Sequence, residues 1–233
     1  MANGLKIAVI GDFNFAYNAH HATNLAVEHS KNLLELDANY YWIRTHEAAS
    51  FKPNQFRNYD AIWFAPGPFE NIFFLNGILH NAMYSDLPCL ITGEAYKIFL
   101  EVLIAQNNLS INNEKLISEN LSNDEQFEKI EVIPISETLK KMYKSMNRVE
   151  LTSARYSLYP QLLSYMKNNV IDIEAVNQFE DPEIISLKKH PFFVASMSNV
   201  QICSTREMPH PLISSFINIA DELRKKEKLG TGS

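Results

Sequence analysis

The sequence predicts a single α/β domain on a central, mostly parallel sheet with helices on both faces. Three observations predict it. The short apolar runs 6–11, 59–65 and 89–92 have the composition of strands buried on both faces. Longer stretches with a helical apolar stripe follow them. Turn residues close the runs: Gly11-Asp12, Pro66-Gly67-Pro68 and Gly93. Strands alternating with helices at this spacing imply βαβ units, a flavodoxin-like arrangement. Ligands in such sheets bind beyond the carboxyl ends of the strands.

Taken in order, 6–12 reads as the first strand. Residues 20–36 read as a helix, with Leu25, Val27, Leu33, Leu34 and Leu36 as its stripe. Residues 39–43 and 59–65 are the next strands, 72–84 a helix and 89–92 the fourth strand. Residues 96–106 form the helix after it. Residues 107–128 are rich in Asn, Ser and Glu and read as a polar excursion, with or without a short helix. Residues 130–135 and 183–187 are strand candidates, and 191–197 is a stronger one. Residues 211–226 close the chain as a helix on Leu212, Phe216, Ile219, Ala220 and Leu223. Nothing divides the chain, so 1–228 reads as one domain and 229–233 as a disordered or vector-derived tail.

Composition excludes several classes. A net charge of −6 leaves no basic surface for nucleic acid or an anionic membrane. No apolar run approaches the roughly 20 residues a membrane span needs, and the first residues carry no secretory pattern. Two cysteines, Cys89 and Cys203, make no disulfide framework, so a reducing, cytoplasmic setting is expected. His20-His21 and His29 lack a partnering cysteine or carboxylate set, so no metal site is expected. Gly11-Asp12 lacks the glycine patterns that cradle phosphates, and no cofactor is expected.

The most informative segment runs from Leu87 to Lys97. A buried strand enters a sharp turn and then a helix, the elbow that holds a nucleophile up to solvent in α/β enzymes. The tip of this elbow is Gly93, which has no side chain to attack with. A shift of one residue puts Glu94 at the tip instead, where a carboxylate is either a nucleophile or base or a helix start favoured by the macrodipole.

The order of elements, the Pro66-Gly67 turn, the elbow, His190-Pro191-Phe192-Phe193-Val194 and His210-Pro211-Leu212 together resemble a class I glutamine amidotransferase domain. The glutaminase domain of CTP synthase is the nearest variety. Stand-alone CTP synthase-like proteins are nearer still, through Gly11-Asp12-Phe13-Asn14 and Ala19-His20. The resemblance covers roughly residues 5–225. It implies a Cys-His-Glu triad, in which a His activates a thiolate and a carboxylate orients the His. Ungapped, the three positions fall on Gly93, Asn199 and Gln201, so the triad is expected to be lost. The oxyanion loop also departs, since Pro68 has no N–H to donate and Phe69 would have to substitute.

The resemblance further implies a pocket between the elbow, the 66–70 loop and Arg155-Tyr156, an Arg-Tyr step that holds a carboxylate. The expected ligand residues are Gly67, Phe69, Glu94, Tyr96, Arg155, Tyr156 and His20. Arg155 equally suits a structural acidic partner, His20 a solvated helix start, and both cysteines ordinary packing. The leading expectation is a homologue without glutaminase activity that binds a small amino-acid-like ligand, a synthetase-type protein or a second copy of itself. The alternative is an enzyme reusing the pocket on a small amide or amino-acid-like substrate, with Glu94, His20 or Cys203 in a new role. A conventional glutaminase would need a cysteine at the elbow, which neither Cys89 nor Cys203 reaches.

Overall fold

A computed structural model describes residues 4–109, 116–122 and 127–230. Nine strands form one mixed sheet: β1 (Leu5–Ile10), β2 (Ala38–Ile43), β3 (Ala61–Phe64), β4 (Cys89–Thr92), β5 (Glu128–Pro134), β6 (Arg148–Thr152), β7 (Ile171–Asn177), β8 (Pro182–Leu187) and β9 (Phe193–Ser196). Their order is β2-β1-β3-β4-β9-β8-β7-β5-β6. The first five in that order run parallel, and each remaining neighbour is antiparallel.

The seven helices among the described residues are α1 (Asn18–Leu34), α2 (Thr45–Ala49), α3 (Ile72–Met83), α4 (Ala95–Gln106), α5 (Glu137–Met142), α6 (Pro160–Asn169) and α7 (Pro211–Gly230). Strand alternation divides the core. Ala8, Ile10, Ile62, Phe64 and Ile91 face Leu75, Phe99 and Met166 of α3, α4 and α6. Leu5, Ile7, Val9, Trp63 and Leu90 face Val27, Leu139 and Phe216 of α1, α5 and α7. Burying each such aliphatic side chain stabilises the fold by about 1.5–3 kcal/mol.

Several boundaries differ from the sequence reading for identifiable reasons. The first helix stops at Leu34 because Glu35 turns left-handed (φ 53°) and its N–H returns to the Asn32 carbonyl. In the irregular middle, β6 and β7 are strands that reading missed. β6 hides the charged Glu150, fully buried, inside its alternation. α5 and α6 are short, and their apolar stripes are correspondingly thin. The 107–128 excursion lies partly outside the described residues. α7 continues through Leu229 and Gly230, which the sequence assigned to the tail, while 231–233 lie outside the described residues.

Candidate functional site

The elbow exists as a sharp turn between β4 and α4. Gly93 has φ +64°, its N–H donates to the Ser196 carbonyl at 3.1 Å, and the Glu94 N–H donates to the Pro66 carbonyl at 3.0 Å. These bonds tie the turn to β9 on one side and to the loop after β3 on the other. A β-carbon at 93 would stand 2.6 Å from Asn199 Oδ1 and 2.9 Å from the Pro66 carbonyl oxygen. The space a nucleophilic side chain needs is therefore filled.

Asn199 reaches the elbow at Gly93, and Gln201 is bonded to Asn199. Both are buried. Asn199 is fixed by its N–H to the Leu151 carbonyl (2.8 Å) and by Nδ2 to Ser153 Oγ (3.1 Å). Gln201 Nε2 donates to Asn199 Oδ1 at 3.3 Å. Two neutral amides cannot relay a proton near neutral pH. Gln201 Oε1 and Ser196 Oγ are buried here without hydrogen-bond partners among the described residues.

Gly67 also has positive φ (+87°) and is followed by a cis peptide to Pro68. A β-carbon on Gly67 would collide with the Glu94 carboxylate, so the half-buried Glu94 lies along the loop. Burial raises its carboxyl pKa, against a smaller lowering by Lys97. The Lys97 ammonium sits 5.5 Å from the Tyr156 ring centre and 3.4 Å from Glu101. Glu94 thus lies beside Gly67, and Lys97, one helical turn on, lies beside Tyr156, and this neighbourhood is the elbow mouth. Sequence reasoning missed Lys97 and Ser153, which carry no motif.

Other expected ligand residues turn elsewhere. His20 is fully buried. Its Nδ1 accepts from the Asn14 N–H at 3.0 Å, so Nε2 carries the proton and donates to the Gly67 carbonyl at 2.8 Å. Burial holds its pKa below the usual imidazole value. It is a neutral clamp beneath the loop, not the solvated helix start allowed for it. Tyr96 is buried and donates its hydroxyl to the Pro182 carbonyl at 2.8 Å. Arg155 donates from Nη2 to the Leu121 carbonyl (3.2 Å), stacks 4.4 Å from the Phe179 ring centre and lies 3.9 Å from Glu128. Phe69 packs half-buried on the core.

Neither thiol is activated. Burial pushes Cys89 far up. Burial, then Glu150, pushes Cys203 to about 12. Glu150 itself is held by His210 Nε2 and Arg148 Nε, each at 2.9 Å. Burial opposes its charge, yet the two partners outweigh burial and keep its pKa low. Glu183 is different: burial outweighs its Ser198 and Asn177 hydrogen bonds and raises it to about 7. A groove of about 720 Å³ lined by Arg57, Tyr59, His80 and Asp86 opens at the amino ends of β3 and β4. It is remote from the elbow, and we take the elbow mouth as the site because parallel sheets bind ligands at the carboxyl ends.

No family model matches the chain. A CTP synthase of Cytophaga hutchinsonii is 39% identical over 46 residues, 20% of this chain and 8% of that protein. The match thus spans a small part of the relative. Among solved structures, the Trypanosoma brucei CTPS glutaminase domain with bound acivicin aligns with a TM-score of 0.72 at 17% identity, over 94% of both chains. A GMP synthase-type protein of Thermoplasma acidophilum aligns with a TM-score of 0.61 at 11% identity, over 98% of this chain and 100% of that one. A ThuA-like protein of Bacteroides uniformis aligns at 0.55 and 12% identity, over 91% and 89%. The fold is that of a class I glutamine amidotransferase-like domain. No described helix is long and apolar enough to cross a membrane.

Proposed function

We propose that this CTP synthase glutaminase-like domain binds a small amino-acid-like ligand and does not hydrolyse glutamine. One observation carries the reading: Asn199 Oδ1 and the Pro66 carbonyl fill the space of a β-carbon at Gly93. Acyl transfer by a thiolate needs a side chain there, a base beside it and donors facing the oxyanion. The resemblance puts Gly93, a neutral amide pair and Pro68 at those positions. The opposite charges of Glu94 and Lys97 at the mouth suit the ammonium and carboxylate of an amino acid. Binding would serve a regulatory or scaffolding role toward a synthetase-type partner or a second copy.

Ammonia release from glutamine tests the first half. We expect none above background, both in the parent and in Cys89→Ser/Cys203→Ser. Turnover that survives the double substitution would mean the chemistry was rebuilt from other groups. Calorimetric titration with a panel of amino acids tests the second half. Binding lost in Glu94→Gln or Lys97→Met supports the reading, and a panel without any binder refutes it. One observation favours the enzymatic alternative: burial raises Glu94, which suits an acid or base. Against it, both His20 nitrogens are taken by backbone groups.

A further inference from the structure

We propose that Asp12, His46 and Glu70 form a binding site for a divalent transition-metal ion. One carboxylate oxygen from each acid and one ring nitrogen of His46 all lie within 4.8 Å of one another. The three residues come from three neighbouring strand ends. Asp12 follows β1, His46 opens α2 after β2, and Glu70 lies in the loop after β3; β2, β1 and β3 are adjacent in the sheet. The cluster is centred two strands from the elbow on β4.

Asp12 supplies an independent sign of a cation. Its side chain is only 7% exposed. Among the described residues no lysine or arginine pairs with it. Its hydrogen bonds come from neutral donors alone: the Thr45 N–H (3.1 Å), the Thr45 hydroxyl (2.9 Å) and the Glu70 N–H (3.0 Å). His20 is within electrostatic reach, but its nitrogens are engaged by Asn14 and Gly67. A buried carboxylate whose donors are all neutral keeps a negative charge that a cation held together with His46 and Glu70 would offset. The Thr45 and Glu70 donors also fix the plane of the carboxylate, as supporting groups around metal ligands do.

The donor set selects the ion. One imidazole and two carboxylates suit zinc, manganese or iron(II). Calcium takes six to eight oxygens and is not matched. His46 and Glu70 are exposed, so an ion can enter from solvent. Three protein ligands leave positions for water. Linear spacing hid the set, because its members lie on three separate strand-to-helix connections.

The test is calorimetric titration of chelator-treated full-length protein with zinc sulfate, with zinc content measured after dialysis. We expect one zinc per chain and a melting temperature that rises with zinc. His46→Ala and Glu70→Gln should each weaken binding at least about tenfold. Both side chains are exposed, and unchanged circular dichroism will show that the fold survives. His80→Ala, at the far end of α3, should bind zinc like the parent. Absence of saturable binding overturns the proposal, as does binding that persists unchanged in both His46→Ala and Glu70→Gln.

Discussion

The side-chain oxygen of Asn199 stands 2.6 Å from the point where a β-carbon on Gly93 would be. Asn199 thus occupies the space that a side chain at position 93 would need. Restoring the cysteine alone leaves Asn199 and the Pro66 carbonyl in its way.

Gly93→Cys should release no ammonia from glutamine, and it should lower stability. The left-handed backbone alone costs a residue with a side chain about 1–2 kcal/mol, and the contacts with Asn199 and Pro66 add to that. Urea unfolding and a coupled ammonia assay on the same preparation check both parts. Glutaminase turnover in this single variant would show that the elbow yields easily.

Glu183 predicts a pH dependence. Its folded pKa is raised to about 7 from 4.5, so the folded state prefers the protonated acid. Its contribution is fully present below pH 4.5 and is lost as pH rises through 7. The shift corresponds to a loss on the order of 3 kcal/mol. Glu183→Gln removes this dependence. Its stability relative to the parent should therefore increase by that order between pH 4.5 and pH 8. A difference between the two that stays flat with pH would contradict the assignment.

His20 should titrate in the opposite sense. Its folded pKa lies below the ordinary imidazole value because it is buried. The neutral ring is favoured, and its contribution is lost as pH falls below about 6.5. Nitrogen NMR should report a proton on Nε2 at neutral pH. His20→Ala leaves the buried Gly67 carbonyl without its donor, at about 1–3 kcal/mol in urea unfolding.

His210→Ala should destabilise more than His20→Ala. It strips the fully buried Glu150 of one of two hydrogen-bond partners, and leaving a buried group unsatisfied costs about 1–3 kcal/mol, more for a carboxylate. The double variant His210→Ala/Glu150→Gln should recover part of that loss. No recovery would mean that His210 acts through packing against Tyr143 rather than through its hydrogen bond to Glu150.

The strands at residues 5–10, 61–64 and 89–92 were legible because they are buried on both faces, so nearly every letter is apolar. The elbow was legible because glycine at a strand-to-helix junction has a conformational reason. β6 and β7 were not legible. Arg148 and Glu150 put two charges into β6, and only the fold places Glu150 against His210, far along the chain.

For the site, sequence alone determined that Gly93 stands at the strand-to-helix turn and Pro68 in the loop after β3, since these facts concern only which residue follows which, while the reading of Gly93, Asn199 and Gln201 as triad positions came from a resemblance. The tertiary structure decided the rest. It turned His20 under Gly67 and Tyr96 toward Pro182, laid Glu94 along the loop, and gathered Asp12, His46 and Glu70 at three strand ends. Contacts of that kind depend on how strands are ordered across the sheet. Local propensity and periodicity carry no information about that order, because it is set by the packing of the whole core.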